Sequence, residues 1–293
     1  MKNLLFLFVI FLGLQVQAQE DTTYKPVETP EGFTRQIDVV YAKVKDWEGR
    51  MDIYMPPKKE KPTPVVINIH GGGWNKGVKE SQTGFNTFFK MNYAVANVEY
   101  RLSGQATAPA AVEDVRCALI YLIKNAKELN IDTSKIVVMG GSAGGHLALM
   151  AGLLGNDHRF DGNCKPEVYV RVAAIVDKYG IADVSWWNKG PYKTSKSAAQ
   201  WLGDKANDDK FAQSVSPIYY VNKNSPPVFI VHGDADPIVP YEHSVALKDK
   251  LDKFGVKNTM ITVPGGQHGK FPKEKNSEIN KAIADWLKDL GII

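Results

Sequence analysis

The chain has 293 residues, of which 44% are apolar and 23% charged, with a formal net charge of +4. That length suits one large α/β domain better than two small ones, and the apolar content is enough for a sizeable core. Lys and Arg are interleaved with Asp and Glu, and the densest basic run, Lys58-Lys59-Glu60-Lys61, is broken by an acid and followed by Pro62, so the charge reads as solvated surface and excludes a nucleic-acid patch.

The first element stands apart from the rest. Lys2, the apolar run Leu4 to Leu14 and the small-residue end Val16-Gln17-Ala18 have the layout of an export signal. The run is shorter than the roughly 20 residues a membrane-spanning helix needs, and no later segment is long and apolar enough to span. Gln19 rather than Cys follows the expected cut, so no lipid anchor is expected. The expectation is therefore a signal peptide over residues 1–18, a single domain over 19–293, and a secreted or periplasmic location. Export permits disulfides. The chain has two cysteines, Cys117 and Cys164. Sequence cannot show whether they meet, so a bridge and a pair of unconnected thiols both stay open.

Gln36 to Val44 and Met51 to Tyr54 read as strands, with a turn signal at Asp46-Trp47-Glu48-Gly49 between them. Val65 to Ile69, Tyr93 to Tyr100, Ile136 to Met139, Val172 to Val176 and Val228 to Val231 are short apolar runs of the kind buried on both faces of a sheet. Thr259 to Val263 is a last strand. Val112 to Ala126, His146 to Leu154, Tyr241 to Phe254 and Ser277 to Leu290 carry helical spacing, the last two stopped by Gly255 and Gly291. Strand and helix alternate from Val65 onward, which implies a mostly parallel sheet with helices on both faces and the opening pair as an antiparallel edge. Residues 180–225 break the alternation with an aromatic-rich insertion.

Gly140-Gly141-Ser142-Ala143-Gly144 fits G-x-S-x-G, between a buried strand and a helix. A sharp strand-to-helix turn needs room beside the serine and exposes its hydroxyl, so Ser142 is the candidate nucleophile. A second glycine cluster, His70-Gly71-Gly72-Gly73-Trp74, follows another buried strand. Acyl transfer builds charge on a carbonyl oxygen, and the N–H groups of Gly72, Gly73 and Ala143 are the candidate donors to it. A serine nucleophile needs a base and an acid that orients the base. Of the six histidines, His268 in Gly265-Gly266-Gln267-His268-Gly269 is placed to return to the carboxyl edge of the sheet. His232, His70 and His146 read as supports of their own loops or helix. Asp234 and Asp236 both follow an earlier strand, and spacing alone does not separate them. No H-E-x-x-H is present and the cysteines lack zinc-ligand spacing, so neither metal nor cofactor is implied.

Together these elements resemble the α/β-hydrolase esterases from about residue 38 onward. They are most similar to the bacterial feruloyl- and acetyl-xylan-esterase-like group, a relative of the hormone-sensitive-lipase-like esterases. The resemblance rests on HGGGW at 70–74, YRLS at 100–103, GGSAGGHLA at 140–148, SPIYYV at 216–221, HGDADPIVP at 232–240 and GGQHG at 265–269. It implies an α/β-hydrolase fold with a mostly parallel eight-stranded sheet, selects Asp236 as the acid, and pairs Arg101 with Asp114. Lipase-like relatives usually carry Asp before the serine, where this chain has Gly141, which points away from lipid esters.

The resulting expectation is a serine carboxylesterase acting through Ser142, Asp236 and His268 on acetyl or feruloyl esters of plant polysaccharide fragments, as small-molecule or oligosaccharide substrates. The alternatives are a prolyl-oligopeptidase-like exopeptidase, a general short-chain carboxylesterase, or a hydrolase-like binding protein. Trp74, Trp186, Trp187 and Tyr192 are candidate stacking surfaces for a sugar or a feruloyl ring, with a place in the core as the alternative. Oligomeric state stays open.

Overall fold

The computed structural model describes residues 24–164, 167–189 and 196–292. The expected signal peptide and Tyr192 lie outside the described residues. Eight strands form one sheet: β1 (Thr34–Val44), β2 (Trp47–Met55), β3 (Thr63–Ile69), β4 (Ala94–Val98), β5 (Ile131–Gly141), β6 (Ala174–Lys178), β7 (Val228–Gly233) and β8 (Asn258–Val263), in the spatial order β1-β2-β4-β3-β5-β6-β7-β8. The pairs β1–β2 and β2–β4 are antiparallel, and β4, β3 and β5 through β8 run parallel, as expected from the alternation of strand and helix. The opening hairpin turns earlier than its sequence suggests. Val44 pairs with Trp47, so Lys45 and Asp46 form the turn, with Lys45 at φ 52°. Trp47 joins the strand because its ring packs edge-on to Tyr41.

The helices are α1 (Asn86–Lys90), α2 (Ala110–Lys124), α3 (Ala143–Leu153), α4 (Val184–Lys189), α5 (Lys196–Leu202), α6 (Asp209–Ser214), α7 (Glu242–Lys253) and α8 (Lys273–Asp289). Strand side chains alternate between two apolar layers. Val65, Ile67 and Ile69 of β3 enter the layer with α2, α3 and α7, whereas Val66 enters the layer with α1 and α8. No helix among the described residues is long and apolar enough to cross a membrane.

α3 is buried at all of its positions. A helix covered all round needs cover on its outer side, and here the segment 180–225 supplies it. That segment folds into the short helices α4, α5 and α6 and a 3₁₀ turn at Pro217–Tyr220. Two of its rings, Trp187 and Trp201, turn inward and are buried, while Tyr219 faces outward. The YRLS arginine forms the expected ion pair: Arg101 Nη2 lies 2.7 Å from Asp114 Oδ1, and Arg101 Nε donates to both carboxylate oxygens.

Cys117 of α2 and Cys164 are joined in a disulfide, 47 residues apart in sequence. The loop that carries Cys164 is also held by Arg116, fully buried, which donates to Asp161 and to the carbonyls of Ala151, Gly155 and Asp157. A crosslink over that separation stabilises mainly by restricting the unfolded chain, by up to about 4 kcal/mol. The double variant Cys117→Ala/Cys164→Ala is expected to unfold at lower urea than the wild type, and dithiothreitol is expected to lower the wild-type midpoint toward it. Coincident midpoints would contradict the bridge.

Candidate active site

β5 ends at Gly141 and α3 begins at Ala143, so Ser142 makes the whole turn by itself. Its backbone is at φ 58° and ψ −125°, in the left-handed half of conformational space that serine seldom enters. Two hydrogen bonds hold it there: Ser142 N–H donates to Lys178 O at 2.9 Å, and Ser142 O accepts from His146 N–H at 3.0 Å. The following glycine is compulsory, because a β-carbon on Gly144 would lie 2.2 Å from the Ile69 carbonyl oxygen. α3 thus passes directly over the end of β3, where the glycine loop begins.

That loop lies against the serine. A β-carbon on Gly71 would be 3.4 Å from Ser142 Cβ. The loop curls through left-handed conformations at Gly72, Gly73 and Trp74. It is closed by the N–H groups of Asn75 and Lys76, which both donate to Gly72 O. The Gly72 and Gly73 N–H groups donate to no described residue. The Ala143 N–H is in the first turn of α3, where a helix leaves its N–H groups without carbonyl partners and concentrates positive potential. His70 supports the loop as expected: its ring stacks on Tyr100 at 4.2 Å, and the Tyr100 hydroxyl donates to His70 O.

Asp236 and His268 meet across the loops after β7 and β8. His268 Nδ1 is 2.7 Å from Asp236 Oδ2. An ionised carboxylate only accepts, so Nδ1 carries the proton and Nε2 keeps its lone pair, the tautomer a general base requires. Asp236 Oδ1 also accepts from the Ile238 and Val239 N–H groups, and His232 Nε2 lies 3.1 Å from Oδ2. Burial of this carboxylate works to raise its titration, but the hydrogen bonds from His232, His268 and Ile238 outweigh it and hold the group well below the usual carboxylate range. Asp234, the other aspartate that spacing allowed, instead accepts from the Gly265 N–H. Ser142 and His268 make no hydrogen bond to each other in this geometry, a contact that commonly tightens only around substrate. Their chain neighbours nevertheless meet at one place: Gly141 and Gly269 both lie against the Tyr179 hydroxyl.

The aromatic expectations divide. Trp74 is fully buried, stacked on Trp201 at 4.5 Å and donating to His146 Nδ1. Trp187 is 3% exposed. Neither offers a face to a ligand, which corrects the sequence expectation; both are core because the insertion must roof α3. Trp186 is half-buried, edge-on to His243. His146 donates through Nε2 to Val215 O, and burial pushes its titration down to about 4. It is therefore a neutral strut between α3 and the insertion.

Tyr179-Gly180 also directly follows a buried strand but carries no motif that marks it in the sequence. Asp177 is likewise unmarked in the sequence: it is fully buried on β6, with Oδ1 2.4 Å from where a β-carbon on Gly145 would sit.

Fold and site together define an α/β-hydrolase with a serine at its strand-to-helix turn. The BD-FAE family model matches residues 51–251, more than half of the chain, and the chain belongs to that family. It is 29% identical over 228 residues to the probable carboxylic ester hydrolase LipM of Mycobacterium tuberculosis, covering 75% of this chain and 53% of LipM. To the arylesterase of Saccharolobus solfataricus it is 26% identical over 274 residues, covering 89% of this chain and 85% of that protein. The chain spans a little over half the length of the mycobacterial relatives, LipM and esterase LipC, each covered to 53%. A solved structure described as a truncated carbohydrate esterase from gut microbiota superposes with a TM-score of 0.75 at 30% identity, over 88% of this chain and 96% of that one.

Burial pushes Asp177 up to about 7, against a weaker opposing pull from the Gly180 N–H. In the unfolded chain the same carboxyl ionises near pH 3.9, so folding becomes less favourable as pH rises through that window, by up to about 4 kcal/mol. Asp177→Asn removes the buried charge. Its melting temperature relative to wild type is expected to climb between pH 4 and pH 8. A pH-independent difference in thermal melts would contradict this.

Proposed function

We propose that this chain is an exported serine carboxylesterase that removes acetyl or feruloyl groups from plant polysaccharide fragments. The observation that carries the chemistry is the Asp236–His268 hydrogen bond, which leaves His268 Nε2 as a base on the loop adjoining the Ser142 turn. In this reading His268 takes the Ser142 proton as Oγ attacks the ester carbonyl. The Gly72, Gly73 and Ala143 N–H groups hold the resulting oxyanion. His268 then returns the proton to the departing alcohol, and water, activated by the same histidine, releases the acid from Ser142. No cofactor enters these steps.

Two observations support a carbohydrate alcohol. The neighbour at 30% identity is described as a carbohydrate esterase. The flank of the glycine loop is also polar: Ser197 of α5 lies against Gly73, and Asn75 donates to Gln200 of α5 at 2.9 Å. Hydroxyl and amide groups there suit a sugar better than an acyl tail. Trp186 is the candidate aromatic contact. Export is supported by the Lys2 to Ala18 pattern and by the Cys117–Cys164 bridge, since structural disulfides belong to oxidising compartments.

Ser142→Ala is expected to abolish hydrolysis of p-nitrophenyl acetate to within background. Asp236→Asn should lower kcat by about 10³- to 10⁴-fold by favouring the wrong histidine tautomer. Full retention of activity in either variant would remove that residue from the mechanism. Among acetylated xylan, methyl ferulate, p-nitrophenyl acetate and p-nitrophenyl palmitate, the expected order of kcat/KM puts palmitate last. A preference for palmitate refutes the polysaccharide assignment. N-terminal sequencing of the protein recovered from a bacterial periplasm or medium should begin at Gln19, and retention of Met1 would refute cleavage.

A further inference from the structure

We infer that Tyr179 is a positioning residue: its ring is the wedge that sets the His268 imidazole against the Ser142 turn. This rests on the reading of Ser142 and His268 given above.

Tyr179 directly follows β6, the strand between β5, which carries Ser142, and β7, which leads to Asp236. One peptide group ties the two sides together. The carbonyl of Lys178 accepts from the Ser142 N–H at 2.9 Å, and the N–H of Tyr179 donates to Val231 O at 2.6 Å. Immediately past this group the backbone takes φ 45° at Tyr179, a left-handed conformation that a bulky side chain adopts only when its surroundings compel it. Such strain is maintained here by contacts on three sides. The ring meets His268 edge-to-face, with centroids 4.8 Å apart and planes at 63°. It meets Phe271 of the same loop at 6.1 Å and 82°, and His232 at 6.5 Å.

The hydroxyl end explains two glycines. A β-carbon on Gly141 would lie 3.0 Å from the Tyr179 hydroxyl oxygen, and one on Gly269 would lie 2.5 Å from it. These residues adjoin Ser142 and His268. The loops that bear the nucleophile and the base are therefore kept apart by the hydroxyl end of one aromatic ring, and each carries a glycine where it presses on that end. The position before the serine, where lipase-like relatives usually carry Asp, is taken by Gly141 because the tyrosine fills the space a side chain would need. Burial, together with the charge of Asp236, raises the phenol's titration and keeps it neutral. Its part is therefore steric and aromatic.

The test compares Tyr179→Leu with Tyr179→Phe on p-nitrophenyl acetate. A base displaced by about 1 Å loses about 10²-fold in rate, so Tyr179→Leu is expected to lower kcat by that order with KM changed less than about threefold. Tyr179→Phe restores the ring and is expected to recover most of the loss. The rate at which Ser142 is labelled by a fluorophosphonate should follow the same order, because phosphonylation needs the same base. Should Tyr179→Leu fail to fold by circular dichroism, Tyr179→Met, longer and unbranched but also without a ring, carries the comparison. Wild-type kcat without the ring, or an equal loss in the Phe variant, overturns the wedge. Ser142 in the wild type failing to react with the fluorophosphonate would instead overturn the parent reading, so the two failures are distinct.

Discussion

The constraint that organises this molecule is a single residue that must carry the chain from a buried strand into a buried helix. Ser142 does so in a left-handed conformation, with its N–H fixed to β6 and its carbonyl closing the first turn of α3. Its hydroxyl is displayed at the carboxyl edge of the sheet because nothing else about the turn is free to vary. Gly144 exists to let α3 cross the end of β3, and that crossing brings Gly71 to the serine. The crowding that strains the serine and the loop that would hold the oxyanion are thus consequences of the same helix placement.

Electrostatics around the turn are divided by depth. Asp236 is a carboxylate wrapped by donors, so it stays charged and keeps His268 in one tautomer. Asp177, one strand away, is buried with little to compensate it and resists ionisation. Two aspartates at the same edge of one sheet are thereby given opposite characters by their hydrogen-bond partners. A negative charge on Asp177 would sit near the amino end of α3 and oppose the potential available to an oxyanion, so its reluctance to ionise favours the chemistry proposed for Ser142.

Much of this was legible in the sequence, for definite reasons. Parallel strands buried on both faces leave short, unmistakable apolar runs, and the run from Val65 to Ile69 announces itself in five residues. Chemistry concentrated after such runs marks the loops at Gly72, Ser142, Asp236 and His268. The aromatics were harder. Trp74, Trp187 and Trp201 sit among polar neighbours in sequence, and only the need to cover a helix that is apolar all round turns them inward. Tyr179 and Asp177 carry no local signature because their roles come from adjacency of β6 to β5 and β7, which is a property of strand order. Spacing leaves Asp234 and Asp236 open and the resemblance selects Asp236; in the structure Asp236 faces His268, whereas Asp234 is taken up by the Gly265 N–H.

The roof over α3 has an evolutionary corollary. In many enzymes a specificity-bearing insertion can be trimmed, swapped or grafted while the catalytic core stands unchanged. Here Trp187, Trp201 and the Val215 carbonyl belong at once to the insertion and to the interior around α3. If the chain is the esterase proposed for Ser142, variation in substrate preference would run through less buried residues such as Ser197 and Gln200, with the inward ones held by packing. Under that reading, a library confined to the outward positions would keep the fold that a library reaching Trp187 or Trp201 would disturb.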